Sequence, residues 1–341
     1  MKKLRSISYF ILGTIAAVLF LEIFMHLAEI KSPFFTIDTH LGKTYQKNKP
    51  ILAFNEGHFM GKTNADGLIS NVSLEKKSNT IRIAFFGDSF TEALQIQTAK
   101  NFTSVFQQQL QSVSSATIEV INFAVSNAVL EDMYVRNKRL ASKYKCDYFI
   151  YFIDDFDVVL NSQTPIQPIQ TVVKNRKLEI INSRSNNYKL YNYFQPVIDH
   201  SNLFSLLSEC KTLHAKGKSK EIFLDKFYVA PKMDAKYVEA YYDQNYFSNL
   251  SLKSKLLLQE LSGSKSIFVF RDSINLKLKS YLNKNKINYI ETKNVLDSLR
   301  NIEKDPYYWP ESKTFGHFYA TTHEVIGKYL AKKLQSKVIK K

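Results

Sequence analysis

The feature that most constrains the fold of this chain is an alternation of apolar strand-like segments with helices, interrupted once by an irregular region. Continuous apolar runs of this kind are typical of strands buried on both faces of a parallel sheet. The predicted strands are 81–86, 117–125, 147–153, 266–271 and 287–292, and the predicted helices are 102–113, 130–144, 274–284 and 323–334. The alternation predicts an α/β fold with a doubly wound parallel sheet, and the interruption predicts a helical insertion at about 162–262.

The first 25 residues predict a membrane anchor. Lys2, Lys3 and Arg5 precede an apolar run over 7–25, which suits the about 20 helical residues that cross a bilayer. A cleaved signal peptide is the alternative, but no pair of small residues stands where cleavage would follow. We therefore predict a cytoplasmic tail at 1–6 and a single-pass signal anchor in the inner (cytoplasmic) membrane. The body would then face the periplasm or the cell exterior.

The rest of the chain divides into a lead-in and one domain. Residues 26–78 are polar and rich in turn-forming residues, so we predict a stalk that leads into the body. The strand–helix alternation occupies 79–336, a length that suits one large α/β domain. Cys146 and Cys210 are too few for a disulfide framework or a metal pattern, and the sequence leaves open whether they pair.

The strong positive charge of the chain raises the question of a nucleic-acid partner. The formal net charge is +16, but the lysines are scattered along the whole chain rather than gathered in one stripe. The sequence has no zinc-finger spacing, no RNA-binding aromatic signature and no recognisable helix-turn-helix. We therefore predict a lysine-rich surface and no nucleic-acid partner.

A Gly-Asp-Ser turn, Gly87-Asp88-Ser89, directly follows the first predicted strand. In doubly wound sheets, sites lie outside the carboxyl ends of the strands. A serine at such a strand-to-helix turn can attack a carbonyl, because the turn favours negative charge. The alternative is that Ser89 is an ordinary helix N-cap. A nucleotide-binding fold is set aside, since no glycine-rich fingerprint follows the strand.

Five ordered segments resemble the conserved blocks of the SGNH/GDSL hydrolase family, and more narrowly its membrane-anchored bacterial members with envelope-polysaccharide functions. The segments are TNADGLIS (63–70), FFGDSFTEA (85–93), EVINFAVSNAVLED (119–132), YFIDDFDVVLN (151–161) and FGHFYATTHEVIGKYLAKKL (315–334). The resemblance implies a flavodoxin-like sheet. It also implies a serine esterase or O-acyltransferase that acts on acyl groups, O-acetyl above all, of an envelope glycan. The chemistry of this family needs neither a cofactor nor a metal.

The resemblance also implies the roles of individual residues. Ser89 would be the nucleophile and His317 the base. His323 is the alternative base, but it matches a histidine of the family that is more often structural. The oxyanion hole would use the backbone N–H groups of Ser89 and of Asn127, which takes the place of a glycine. The asparagine that usually completes the hole falls at Phe156, whose side chain cannot donate a hydrogen bond.

The acid that usually supports the histidine is also missing from its expected place, where the chain has Phe315. Glu311 could substitute by folding back. Three carboxylates after the third predicted strand could also place one group near the imidazole or hold a cation. A solvated acidic loop, or carboxylates at the start of a helix, is the simpler interpretation. The three carboxylates are Asp154, Asp155 and Asp157.

Two functions therefore remain open from sequence. The first is an extracytoplasmic esterase or acyltransferase, and the second is a degenerate member of the family that binds a glycan or an assembly partner. The altered second, third and last blocks favour the second function. The joint presence of Ser89 and His317 favours the first, which we expect.

Overall fold

The computed structural model describes residues 2–28, 33–54, 56–159, 168–182, 186–215, 250–301 and 305–339. Two compact units divide the chain. The first comprises Met1–Thr36 and Asn186–Val229, and the second comprises Ile37–Ser185 and Ala230–Lys341.

The secondary-structure elements follow the alternation expected from sequence. The strands are β1 (Phe35–Asp38), β2 (Gly42–Tyr45), β3 (Pro50–Phe54), β4 (His58–Lys62), β5 (Thr80–Gly87), β6 (Thr117–Asn122), β7 (Tyr148–Ile153), β8 (Ile169–Lys174), β9 (Lys177–Asn182), β10 (Ser266–Phe270), β11 (Tyr289–Glu291), β12 (Tyr308–Trp309) and β13 (Thr314–Phe315). The helices are α1 (Lys2–Leu27), α2 (Ser89–Glu92), α3 (Phe102–Gln111), α4 (Leu130–Arg139), α5 (Asp155–Val159), α6 (Asn186–Ile198), α7 (Asn202–Ala215), α8 (Leu252–Leu261), α9 (Leu276–Lys284), α10 (Lys293–Asn301) and α11 (Ala320–Val338). Short 3-10 helices occupy Thr98–Lys100 and Ala141–Tyr144.

Five strands form the central sheet, in the order β11-β10-β7-β5-β6, and every neighbouring pair is parallel. Counted by their appearance along the chain, the order is 2-1-3-4-5, which is the order of flavodoxin-like sheets. The predicted doubly wound parallel sheet is thereby confirmed. In such a sheet, functional groups gather where the chain changes direction, outside the carboxyl ends of β5 and β7.

Alternating side chains of the sheet strands feed two separate apolar clusters. Phe85 is fully buried in the cluster that contains residues of α3 and α11. Its neighbour Phe86 is fully buried in the cluster that contains residues of α4 and α8. Successive residues of a strand point to opposite faces, so a continuous apolar run is what a sheet covered on both faces requires. Each buried Phe contributes about 1.5–3 kcal/mol.

The segment predicted as a stalk, 26–78, is folded over much of its length. The antiparallel strands β3 and β4 pair from Pro50↔Lys62 to Phe54↔His58. Ile51 and Phe59 are each 2% exposed and Leu68 is 1% exposed. The stalk prediction is therefore wrong for this part, because each short strand buries alternate side chains and so covers one face of the hairpin.

The predicted insertion at about 162–262 is described only in part, since 160–167, 183–185 and 216–249 lie outside the described residues. Its described part is not purely helical, since β9 pairs with β8 in an antiparallel hairpin. Helix α8 at its far end belongs to the core of the second unit, where Leu257, Leu258 and Leu261 are buried. The prediction is therefore wrong at this boundary: the insertion ends before α8.

A buried arginine fastens the lead-in to the sheet. Arg82 is fully buried, and its Nε lies 2.6 Å from Glu119 Oε2. Its guanidinium also donates to three backbone carbonyl oxygens, of Leu74 (3.1 Å), Tyr144 (2.9 Å) and Glu75 (2.7 Å). The side chain thus satisfies carbonyl groups that no strand partner reaches.

We expect Arg82→Met to lower the free energy of unfolding by about 2–4 kcal/mol, because it leaves those carbonyl groups and Glu119 without their donor. Denaturant unfolding of the full chain in detergent measures the loss. Glu119→Gln is the matched control, since it keeps the three carbonyl bonds, and it should cost clearly less. Equal losses in the two variants would show that the ion pair, and not the carbonyl bonds, carries the effect.

Candidate active site

The Gly-Asp-Ser turn places Ser89 at the first position of α2. The N-cap of this helix is Asp88, whose side chain accepts a hydrogen bond from the backbone N–H of Phe90 at 2.9 Å. Ser89 is therefore not the N-cap, and its hydroxyl is available for another partner. The short helix ends at Ala93, which adopts the left-handed conformation with φ 58°.

His317 provides that partner. Its Nε2 lies 2.7 Å from Ser89 Oγ, although 228 positions separate the two residues along the chain. The short antiparallel pair of β12 and β13 precedes the histidine, and the indole Nε1 of Trp309 donates to the carbonyl oxygen of His317 at 2.9 Å. Trp309 is 5% exposed, so a buried side chain fixes the backbone that carries the imidazole.

A third residue, Glu56, completes a hydrogen-bonded chain. Glu56 Oε1 lies 3.0 Å from His317 Nδ1, and the same oxygen accepts a longer bond from the backbone N–H of His317 at 3.3 Å. Burial raises the pKa of Glu56, but its hydrogen bond to His317 and the charge of His317 lower it by more, so the net shift is downward. The group behind the imidazole is therefore an ionised carboxylate over most of the pH range.

Two glycines make room for this carboxylate. A Cβ at Gly316 would lie 1.9 Å from Glu56 Oε1. A Cβ at Gly57 would lie 2.3 Å from the carbonyl oxygen of Gln95 and 2.4 Å from Cζ3 of Trp309. Real Cβ atoms do not approach so closely, so only glycine at both positions lets Glu56 reach the imidazole without a shift of the backbone.

None of the acids considered from sequence occupies this place. Glu311 accepts a hydrogen bond from the hydroxyl of Tyr319 at 2.8 Å and is exposed. Asp154 pairs with Arg271, and Asp157 Oδ2 accepts from the backbone N–H of Asp154 at 2.9 Å. The question of which carboxylate supports His317, left open from sequence, is therefore answered by a residue that was not considered. Glu56 was missed because it lies in the supposed stalk, 261 positions from the histidine.

Phe90 links the site to a cluster of charged groups. Its ring centroid lies 4.8 Å from that of His317, and the Arg271 guanidinium carbon lies 3.9 Å from the same Phe90 centroid. Arg271 Nη1 is 3.3 Å from Asp88 Oδ2, and its Nη2 contacts Asp154. Asp157 lies in the same cluster, where burial and the charges of Asp154 and Asp88 raise its pKa.

The loop that follows β6 carries Asn127, the residue expected in the oxyanion hole. Asn127 has φ 63°, in the left-handed region, where a glycine is usual and asparagine is the best-tolerated substitute. The loop lies against the end of β5, because the N–H of Val125 donates to the carbonyl oxygen of Gly87 at 3.3 Å. Asn127 therefore adopts the backbone conformation that a glycine usually has at this position.

A buried glutamate of α2 holds the same loop, a role that no sequence pattern indicated. Glu92 Oε1 accepts from the backbone N–H of Ser126 at 3.0 Å. The hydroxyl groups of Ser126 and Tyr45 also donate to its carboxylate, and Glu92 is 5% exposed. Burial raises the pKa of Glu92. The helix that begins with Ser89 is therefore tied directly to the residue before Asn127.

Two other residues considered from sequence lie elsewhere. His323 is fully buried, its ring stacks on Phe102 with centroids 5.8 Å apart, and its Nδ1 accepts from the backbone N–H of Phe102 at 3.3 Å. Burial lowers the pKa of His323 to about 3. Phe156 lies in α5, and its N–H donates to Asp154 Oδ1 at 2.8 Å. Both cysteines are free thiols.

Asp155 gives a prediction for the pH dependence of stability. Burial raises its pKa from 3.8 to about 7, because Oδ1 is buried without a partner among the described residues, although Oδ2 accepts from the N–H of Asn275 at 2.6 Å. Between pH 4 and 7 the folded chain keeps a proton on Asp155 that the unfolded chain has lost. The free energy of unfolding therefore falls as the pH rises through that range.

Asp155→Asn removes the titration. We therefore expect its unfolding free energy, relative to wild type, to rise from pH 4 to about pH 7 and then to level off. Denaturant unfolding at several pH values measures the difference. A constant difference across this range would contradict the raised pKa.

Comparison with solved structures finds proteins of similar fold. A lipolytic protein of the G-D-S-L family from Desulfitobacterium hafniense matches with 12% identity and a TM-score of 0.35, over 74% of this chain and 98% of the other. A lipase/acylhydrolase from Enterococcus faecalis matches with 11% identity and a TM-score of 0.38, over 76% and 98%. An acetylxylan esterase from Geobacillus stearothermophilus matches with 13% identity and a TM-score of 0.33, over 76% and 94%.

No family model matches this sequence, and no curated protein matches it. At TM-scores below 0.5 the likeness to solved structures carries no weight in assigning an activity. The function proposed for the chain rests instead on its own side chains and on the resemblance of its ordered segments.

Proposed function

We propose that this chain is a membrane-anchored, extracytoplasmic serine esterase of the SGNH/GDSL type that removes acyl groups, chiefly O-acetyl groups, from an envelope glycan. One observation carries the proposal: Ser89 Oγ, the imidazole of His317 and the carboxylate of Glu56 form one hydrogen-bonded chain. This is the arrangement that converts a hydroxyl into a nucleophile.

In the proposed reaction, Ser89 Oγ attacks the acyl carbonyl carbon while His317 Nε2 takes the hydroxyl proton. Glu56 holds the ring in the tautomer that leaves Nε2 free to accept, and it stabilises the imidazolium that forms. The tetrahedral intermediate collapses when His317 returns the proton to the leaving sugar oxygen, which leaves an acyl-enzyme. Water then repeats the sequence and releases the carboxylic acid.

The developing oxyanion would be held by the backbone N–H groups of Ser89 and Asn127. Two donors replace the usual three, because Phe156 brings no side-chain donor. Loss of one donor typically costs about 2.7–4 kcal/mol of transition-state stabilisation. We therefore expect a slower esterase than one with the full set.

The choice of an envelope glycan rests on the resemblance to membrane-anchored bacterial members of the family. An O-acyltransferase would use the same acyl-enzyme, with a sugar hydroxyl in place of water. The anchor is α1, in which Arg5–Leu27 forms a helix long and apolar enough to cross a bilayer. With the cationic residues before it kept in the cytoplasm, the body faces outward.

The proposal is tested by covalent capture with the full chain in detergent. A fluorophosphonate should attach to Ser89 in a 1:1 ratio, as located by mass spectrometry of the peptide, and activated acetyl esters should be hydrolysed. Product analysis with and without an added oligosaccharide separates hydrolysis from transfer. A folded chain that is neither labelled nor active would refute the esterase and favour the binding function.

Glu92 gives a prediction for the oxyanion hole. The two carboxylate oxygens of Glu92 accept from the N–H and the hydroxyl of Ser126. Glu92→Gln replaces one of these oxygens with an NH₂ group, which cannot accept, so Ser126 and its neighbour Asn127 should shift by a fraction of an ångström. We expect kcat to fall by about 10–100-fold with little change in KM.

Tyr45→Phe is the matched control, since it removes one donor to Glu92 and leaves both bonds of Ser126. It should retain most of the activity. Equal losses in the two variants would show that Glu92 supports folding and not the position of Asn127.

A further inference from the structure

Helix α6 carries an apolar stripe that faces away from the first unit. Leu190, Tyr193, Phe194 and Val197 follow the i, i+3, i+4, i+7 spacing of one helical face, and they are 63%, 79%, 47% and 51% exposed. In a water-soluble protein such a stripe packs against the core. Here it is the outer surface of the helix.

The opposite face of α6 is held inward by polar contacts. The hydroxyl of Tyr191 donates to Asp199 Oδ1 at 2.9 Å. Gln195 Nε2 donates to the hydroxyl of Thr36 at 2.9 Å, and Asp199 is 8% exposed. A helix that makes polar contacts on its inward side and exposes an apolar stripe departs from the usual pattern, which indicates a non-aqueous environment.

Helix α7 continues this surface and is tied to α1. Phe204 and Leu207, one helical turn apart, are 51% and 56% exposed. Glu22 of α1 accepts from the backbone N–H groups of Asn202 (2.7 Å) and Leu203 (3.0 Å), at the start of α7. A carboxylate at a helix N-terminus satisfies N–H groups that otherwise lack partners. This contact joins the insertion helices to the apolar anchor helix.

The position of Glu22 fixes the level at which the helices join α1. A rise of 1.5 Å per residue separates Arg5 and Glu22 by about 26 Å, close to the roughly 30 Å of a bilayer's hydrocarbon core. If Arg5 lies at the cytoplasmic boundary, Glu22 lies near the outer one. The apolar side chains of α6 and α7 therefore belong to helices attached at the outer membrane–water boundary.

We infer that α6 and α7 lie in the outer interface of the same bilayer that α1 spans, with Leu190, Tyr193, Phe194, Phe204 and Leu207 inserted among the lipids. The inference rests on the proposed membrane anchor and adds a second lipid contact to it. Amphipathic helices bind this layer by burying an apolar face about 5–10 Å deep, and tyrosine is enriched there. The two insertion helices would thus hold the first unit against the membrane surface.

The test uses the full chain in phosphatidylcholine vesicles, with both native cysteines replaced (Cys146→Ala, Cys210→Ala) and one reporter cysteine added. Tyr193→Cys carries an environment-sensitive fluorophore on the apolar stripe. Asn192→Cys is the control, because it is exposed on the same helix but lies about 150° around it from the stripe. Phe20→Cys, in α1, reports whether the anchor itself is inserted.

We expect the label at 193 to emit at shorter wavelength and to be quenched several-fold more by nitroxide-bearing lipids than the label at 192. Quenching at 20 without quenching at 193 would overturn the inference and leave the anchor intact. Absence of quenching at 20 would instead contradict the anchor. The label at 193 could instead show a blue shift that grows with the protein-to-lipid ratio and no quenching by nitroxide lipids. That result would show that the stripe binds a second copy of the chain, and it would also overturn the inference.

Discussion

Replacement of Glu56 with glutamine is expected to lower kcat for ester hydrolysis by about 10⁴-fold, with KM little changed. The new side-chain amide can present its NH₂ group to Nδ1 of His317, which favours the tautomer whose Nε2 carries a proton and cannot accept one from Ser89. The substitution also removes the charge that stabilises the imidazolium. The effect is large because it acts on the transition state and not on substrate binding.

The matched control is Glu311→Gln. Glu311 has the same side chain, lies closer to His317 in sequence, and bonds only to the hydroxyl of Tyr319 among the described residues. It should retain wild-type activity. Steady-state kinetics on an activated acetyl ester measure both variants. A reversed result, with Glu311→Gln inactive and Glu56→Gln active, would contradict the hydrogen-bonded chain described here.

Removal of the proposed nucleophile or the proposed base is expected to have the largest effect of all. Ser89→Ala and His317→Ala should each reduce kcat by about 10⁴–10⁶-fold, and the double variant should lose little more, since the two residues act as one unit. Ser112→Ala, an exposed serine at the end of α3, controls for loss of a hydroxyl group. Additive losses in the double variant would indicate that the two residues act independently.

The parallel sheet could be predicted from sequence because its strands are long apolar runs that need no distant information. The turn at Ser89 could be predicted for the same reason, since a buried strand ends directly at Gly87. The candidate nucleophile and base were also found from sequence, as members of local segments with a recognisable pattern. Each of these features depends on residues that are close neighbours in the chain.

The acid could not be predicted, because its contact is made by the tertiary fold. Glu56 stands between two strands of only five residues each, and nothing in the local sequence distinguishes it from a surface glutamate. The one signal in the sequence was a pair of glycines, Gly57 and Gly316, which stand next to Glu56 and His317. Two glycines in polar segments do not by themselves indicate a close approach.

The position of the acid also determines when the site can exist during synthesis. Glu56 leaves the ribosome early, and His317 follows it 261 positions later. No nascent chain that ends before His317 can therefore carry the complete hydrogen-bonded chain. A product terminated there would retain Ser89 and Glu56 but lack the imidazole that joins them.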